Sequence, residues 1–294
     1  MVVKHPELLD IPGVTIGHWT DPIALTGCTV ISFEPQALTA AEVRGAAPGS
    51  RELDALAPGR LEQRVDAIVL TGGSAFGLQA ADGVAKELAR RGRGYPTSTG
   101  PVPIVPAAVI FDLATGTRTS PTSENGRDAL NAARPLSAVE QGAVGAGTGA
   151  RWDKFAPESR RGGLGIAQVA FEEHLVTALV VLNAMGVVRD RGPDPRPGLL
   201  AGRTGQFGSL EATTLISVVT SAPCDHGSLT RMCVAAHDAL ARMVVPAHTM
   251  LDGDVAFAST IEDGPRNTEL SMHVSMATEL AVEEAILRAA TAAT

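Results

Sequence analysis

Three short apolar runs constrain the fold of this chain more than any other feature: VDAIVL (Val65–Leu70), VTALVVL (Val176–Leu182) and TTLISVVT (Thr213–Thr220). Each is too short for a globular helix, rich in β-branched side chains and apolar almost throughout. That pattern describes a strand buried on both faces. Between them lie helical patterns. Ala75–Arg91 places Phe76, Leu78, Val84 and Leu88 at helical spacing. Leu229, Met232, Cys233, Ala236, Leu240 and Met243 continue the period over about four turns, and Glu279–Ala292 reads as a closing helix with Val282, Ala285, Ile286 and Ala289 on one side. His248–Thr260 contains a further strand. With 31 glycines, Ala-rich tracts and only 3% aromatic residues, the layers must meet by close backbone approach. The class is α/β, with layered sheets covered by helices.

Charge narrows the partners. Twenty-four basic and thirty-two acidic residues leave a net charge of −8, which argues against nucleic acid or an anionic membrane, since phosphate binding needs clustered cations. Arg90-Arg91-Gly92-Arg93 is better explained as the cationic end of a helix. The opening MVVKHPELLD lacks a basic segment followed by an apolar one, and the longest apolar run, Ala178–Val188, is interrupted by Asn183 and too short for a bilayer. Three scattered cysteines (Cys28, Cys224, Cys233) suggest reduced thiols, so a cytoplasmic location is expected. Two segments read as loops: Ala46–Arg60, and the Pro/Gly/Arg-rich stretch Arg189–Phe207, which ends shortly before Thr213.

Several motifs invite sharper readings and fail. Thr71-Gly72-Gly73-Ser74-Ala75-Phe76-Gly77 follows a strand and could hold an anion on its amides, but it lacks the Lys-Ser/Thr of a P-loop. It is not G-x-S-x-G either, and Ser74 reads as a helix N-cap. Gly142–Ala150 contains a nominal G-x-G-x-x-A without the strand and helix that give it meaning. His226 and His237 are wrongly spaced to share a metal, and no HExxH or cysteine partner is present. Asp252-Gly253-Asp254 lacks the remaining ligands of a calcium loop. No metal and no cofactor is expected.

Taken in order, the segments VDAIVLTGGSAFGLQAADGV (Val65–Val84), GAVGAGTGARWDK (Gly142–Lys154), RRGGLGIAQV (Arg160–Val169), ALVVLNAMGVV (Ala178–Val188), TTLISVVTSAP (Thr213–Pro223) and AHDALARMVVPAHTMLDGDVAFAST (Ala236–Thr260) resemble the DmpA-type aminopeptidases. That group includes L-aminopeptidase/D-amidases, β-peptidyl aminopeptidases and nylon-oligomer hydrolases. Ile11–Ile31 resembles the family's N-terminal strand pair. The resemblance implies a four-layer αββα sandwich made as a single domain, 1–294, that cuts itself into 1–212 and 213–294. It also implies a homo-oligomer, with a tetramer as the expectation. The new N-terminal residue, here Thr213, is the implied nucleophile. The chemistry is coherent: a threonine hydroxyl needs a base, and a free α-amino group has a reference pKa of about 7.7–8.0, whereas the same nitrogen in a peptide bond has no basicity to offer.

By the same resemblance Asn183 is the oxyanion-stabilising amide, Lys154 positions the nucleophile or the oxyanion, and Asp252 and Asp254 are paired carboxylates that orient the nucleophile. On an extended segment those two would share a face; a turn at Gly253 would splay them. The plain readings are a buried structural amide, a surface lysine, turn-making aspartates and strand threonines. The expected activity is aminopeptidase or amidase action on small peptides or amides. Ala212 stands where the family commonly has Asn or Gly, and the structurally similar ornithine acetyltransferases cleave at an Ala–Thr bond. The alternatives are therefore acyl transfer through the same acyl-enzyme, or an unprocessed non-catalytic relative.

Overall fold

The computed structural model describes residues 8–189, 191–200 and 211–291. It opens on a hairpin of β1 (Val14–Asp21) and β2 (Thr26–Val43), closed by a turn in which Asp21 Oδ1 accepts the N–H groups of Ile23 and Ala24. β2 is eighteen residues long and serves two halves of the sheet. Its first part pairs with β1 and with β3 (Arg64–Thr71). The pairing with β3 shifts register between Ser32 and Ala37, and beyond that point Leu38–Val43 pairs with the strand Val255–Thr260.

The remaining strands attach on either side. β4 (Ala107–Val109) lies parallel to β3, and Ser50–Arg51 closes that edge. On the other side follow β5 (Leu164–Phe171), β6 (His174–Asn183), β7 (Thr213–Thr220) and β8 (Val255–Thr260), in the spatial order β5-β6-β7-β8-β2. β7 and β8 are parallel; the other neighbours in that half are antiparallel.

Residue alternation along these strands shows why they read as continuous apolar runs. Ile31, Ile68 and Leu70 from one half meet Leu179, Val181, Leu215 and Phe257 from the other, in a core between the two halves. The alternate residues Val30, Ala67 and Val69 face α1 (Gln79–Arg90) and α2 (Ser123–Asn131). Val180, Leu182, Ile216 and Ala258 face α3 (His226–Met243) and α4 (Thr268–Thr291). The result is the expected four-layer αββα sandwich, with three cores separating four layers.

Some local expectations need correction. The helix expected over Ala75–Arg91 is a 3₁₀ turn at Ser74–Leu78 followed by α1 from Gln79. Ser74 is not its N-cap: it lies inside that turn at φ 52°, with no side-chain cap hydrogen bond. The closing helix starts at Thr268, eleven residues before Glu279, and Ala292 lies outside the described residues. Within the loop expected over Arg189–Phe207, Arg196–Leu200 is a short helix; positions 190 and 201–207 lie outside the described residues.

Close backbone approach is clearest where α4 crosses β5. A Cβ at Gly165 would lie 2.0 Å from the Ala285 carbonyl oxygen and 2.6 Å from the Ala289 nitrogen, so only glycine lets this helix reach the sheet. Gly165→Ala should therefore destabilise the fold by at least the ~1–3 kcal/mol typical of overpacking. Each kcal/mol lowers Tm by roughly 2–4 °C in a domain of about this size. An unchanged melting curve would contradict this account of the layer spacing.

Candidate active site

Thr213 is the first residue of β7 and Asn183 the last of β6, and the antiparallel register sets them opposite each other. Both are buried. Just before β7 the chain leaves its β6 partner and is held instead by residues 251–253. Ala212 N–H donates to Leu251 O at 3.1 Å, and Gly253 N–H donates to Ala212 O at 2.9 Å. The Thr213 hydroxyl donates to the same Ala212 oxygen at 2.5 Å. One residue upstream, Lys154 Nζ donates to Glu211 O at 2.6 Å. The carbonyl of Ala212 is thus held by Gly253 with a hydroxyl against it, and the peptide group before it is fixed at both its oxygen and its N–H.

The two aspartates brace this arrangement from behind. Asp252 Oδ2 accepts from the Thr249 N–H (2.9 Å) and hydroxyl (2.6 Å), and its Oδ1 accepts from Met185 N–H at 3.3 Å. Asp254 Oδ1 accepts from Thr214 N–H at 2.7 Å; its Oδ2 accepts the His248 N–H at 3.2 Å and meets His248 Nδ1 at 2.8 Å. The carboxylates therefore bond to the flanks of Thr213 and Asn183. The Asn183 amide accepts Arg151 N–H at 3.0 Å and donates, over a long 3.4 Å, to Phe111 O. All five residues singled out from the sequence converge on the start of β7, and Lys154 is buried rather than a surface charge.

A cavity of about 290 Å³ opens on this peptide bond. Ala212 and Thr213 form part of its wall, with Ala47, Pro48, Val109, Phe111, Met250 and Leu251 around them. A second, of about 210 Å³, lies on the other side of Phe111, between Lys154 and Arg151. Another, of about 570 Å³, lies between the N-terminal ends of α3 and α4, beside Arg231 and Arg266, and shares no lining residue with these two.

The model of peptidase family S58 matches residues 7–294. The chain belongs to that family. It is 37% identical over 269 residues to an uncharacterized aminopeptidase of Mycobacterium leprae (strain TN), covering 80% of this chain and 73% of that one. It is 34% identical over 205 residues to a 6-aminohexanoate-oligomer endohydrolase of Agromyces sp. (strain KY5R), covering 67% of this chain and 53% of that protein, so it spans about half that relative's length. The solved structure of the L-aminopeptidase D-Ala-esterase/amidase of Ochrobactrum anthropi, described as a new variant of the Ntn hydrolase fold, superposes with a TM-score of 0.75. It covers 96% of this chain and 85% of that one at 19% identity. The S58 chain is accordingly a hydrolase of the aminopeptidase or amidase type.

Three residues of this S58 site escape a reading by motif. His248 sits at φ 52° with its imidazole on Asp254; its only signal was a polar residue six positions before that aspartate. Asp112, an acid in the otherwise apolar stretch VPAAVIFDL, is buried and accepts Gly73 N–H at 2.7 Å. The one amide of the TGGS turn aimed like an anion donor is thereby taken by the protein's own carboxylate. Gly253 carried no signal beyond lying between two aspartates. His226 and His237 each place Nε2 on a backbone carbonyl, of Leu56 at 2.9 Å and Glu42 at 3.1 Å respectively.

Burial sets the electrostatics. It pushes Lys154 down to about 8, with the charges of Asp252, Glu211 and Asp112 opposing the shift. Burial, and then the neighbouring Asp254, pushes Asp252 up. Burial pulls His248 down, but its hydrogen bond to Asp254 and that carboxylate's charge more than offset this, so the imidazole ends above its ordinary value.

Lys154 gives a stability test with a definite sign. Its folded pKa lies below the 10.5 of an unfolded lysine, so between pH 8 and 10.5 the unfolded chain binds more protons and stability rises with pH. Compared in the Thr213→Ala background, where the Ala212–Thr213 bond stays intact, the Tm difference between the chain that keeps Lys154 and its Lys154→Met variant should grow in favour of the lysine across that window. The span corresponds to on the order of 3 kcal/mol. A flat difference would mean that the ammonium is not desolvated.

Proposed function

We propose that this S58 chain cleaves its own Ala212–Thr213 bond and that the released Thr213 is the nucleophile of an amide hydrolase. The observation that carries the reading is the Thr213 hydroxyl 2.5 Å from the carbonyl oxygen of the bond to be cut, an oxygen also held by Gly253 N–H. Release turns the Thr213 nitrogen from a non-basic amide into an amine able to take the hydroxyl's proton at neutral pH. The hydroxyl then attacks a substrate carbonyl, the amine protonates the leaving nitrogen, and water resolves the acyl-enzyme.

Lys154, with its lowered proton affinity, holds the acyl side. Asn183 is the donor to the substrate oxyanion: its long bond to Phe111 O is weak enough to exchange for a charged acceptor. The wall of the 290 Å³ cavity, mostly small apolar residues with Ser74 and Glu211 among them, favours compact acyl groups. Peptides with small N-terminal residues and short linear amides both satisfy that requirement, in keeping with the names of the aminopeptidase and oligomer-hydrolase relatives. Two chains, 1–212 and 213–294, then form one site.

Intact-mass measurement of purified protein should find those two chains, and Thr213→Ala should remain one inactive chain. An active full-length polypeptide would overturn the mechanism. In processed enzyme, Asn183→Ala should lower kcat by roughly 100- to 1,000-fold with a smaller change in KM. A change confined to KM would instead assign Asn183 to ground-state binding.

A further inference from the structure

We infer that the backbone N–H of Gly253 is the oxyanion donor of the self-cleavage step. The inference rests on the reading of Thr213 as a self-releasing nucleophile and adds the group that stabilises charge during the release.

Among the described residues, the Ala212 carbonyl oxygen accepts from two donors, the Thr213 hydroxyl and Gly253 N–H. The hydroxyl cannot serve in the transition state, because its oxygen becomes the attacking atom and its proton must leave. Gly253 N–H, 2.9 Å away, remains. Neither other candidate donor bonds to this oxygen: Lys154 is on Glu211 O and the Asn183 amide is on Phe111 O.

The step balances with this assignment. Thr213 Oγ bonds to the Ala212 carbonyl carbon, and the hydroxyl proton passes to the Thr213 nitrogen. The C–N bond then breaks, leaving an Ala212–Thr213 ester and a free amine. Water adds to the ester carbonyl and the C–O bond breaks; one water proton restores the Thr213 hydroxyl and the other passes to the free amine, leaving an Ala212 carboxylate. The former carbonyl oxygen carries negative charge in both tetrahedral intermediates, and a fixed N–H in a buried site stabilises it most there.

The surroundings hold that N–H still. Asp252 and Asp254, on either side of Gly253, are anchored to Met185, Thr249, Thr214 and His248, and Asp252 O accepts Ala47 N–H at 2.9 Å. The residue must also be glycine. A Cβ would lie 2.7 Å from Thr213 Oγ1 and 2.5 Å from Ala47 O, displacing the nucleophile itself. The two aspartates thus clamp an amide as well as flanking the nucleophile.

The decisive variant replaces Gly253 with glycolic acid by cell-free translation, exchanging the N–H for an ester oxygen without adding a side chain. Self-cleavage, followed by gel against time, should slow by roughly 100- to 1,000-fold in protein whose circular dichroism matches wild type. Cleavage at the wild-type rate would overturn the inference while leaving Thr213 as nucleophile; wild type that never cleaves would instead sink the underlying reading. A second measurement does not depend on that variant folding. In uncleaved Thr213→Ala protein the Gly253 amide should be protected from hydrogen exchange, and rapid exchange there would equally overturn the assignment.

Discussion

Everything at this site depends on one short exchange of backbone hydrogen bonds, in which residues 251–253 grip Ala212 before β7 begins. A strand normally satisfies its groups along its whole length from its neighbours in the sheet. Here β7 pairs with β6 only as far as Thr213, and with β8 only from Leu215 onward. The residue before Thr213 would otherwise carry buried, unpaired polar groups, each costing about 1–3 kcal/mol. The loop leading into β8 supplies the partners, and in doing so sets the carbonyl of Ala212 against a hydroxyl. Local satisfaction of the backbone and the meeting of that carbonyl with the Thr213 hydroxyl come from the same contacts.

The layered architecture makes that grip rigid. β2 runs through both halves of the sheet, so the loop that precedes β8 is fixed to the same strand that carries the β1 hairpin and β3. Arg44 and Ala47, just past the end of β2, donate to Asp254 O and Asp252 O. Any movement of residues 251–254 relative to β7 would therefore disturb the core between the halves, where Phe257 and Leu215 pack with Ile31 and Ile68. Interiors packed to this density resist such shifts.

The strands were legible because burial on both faces removes the need for polar alternation: VDAIVL, VTALVVL and TTLISVVT are nearly uniform for that reason. β2 was not, because TGCTVISFEPQALTAAEV mixes polar and apolar residues as it passes from one half to the other across a shift in pairing. The convergence of Lys154, Asn183, Thr213, Asp252 and Asp254 could be anticipated only through family resemblance. Their spacing, over a hundred positions, carries no periodic signal, and D-G-D by itself reads as a turn. In the structure the turn falls at Met250–Leu251 and not at Gly253, and each carboxylate serves a different neighbour. Ser74 misled because a polar residue after a strand and before a helical pattern is an N-cap in most contexts; here a 3₁₀ turn intervenes and Ser74 instead lines the cavity.

The distribution of buried charge points in the same direction. An isolated buried ion is expensive, and hydrophobic residues of equal volume often stabilise a fold better. This chain nonetheless buries Lys154, Asp252, Asp254 and Asp112 near the end of β6 and the start of β7, while its three cores are overwhelmingly aliphatic. The fold would not need these groups to hold its layers together. Their bonds run instead to Glu211, Thr214, Met185, Thr249 and Gly73, the segments that flank Thr213 and the cavity. Asp66 and Glu87 are buried elsewhere, singly, but among the described residues only here do carboxylates and an ammonium depressed to about 8 gather around one stretch of backbone. The proposed cleavage of the Ala212–Thr213 bond would account for such an arrangement.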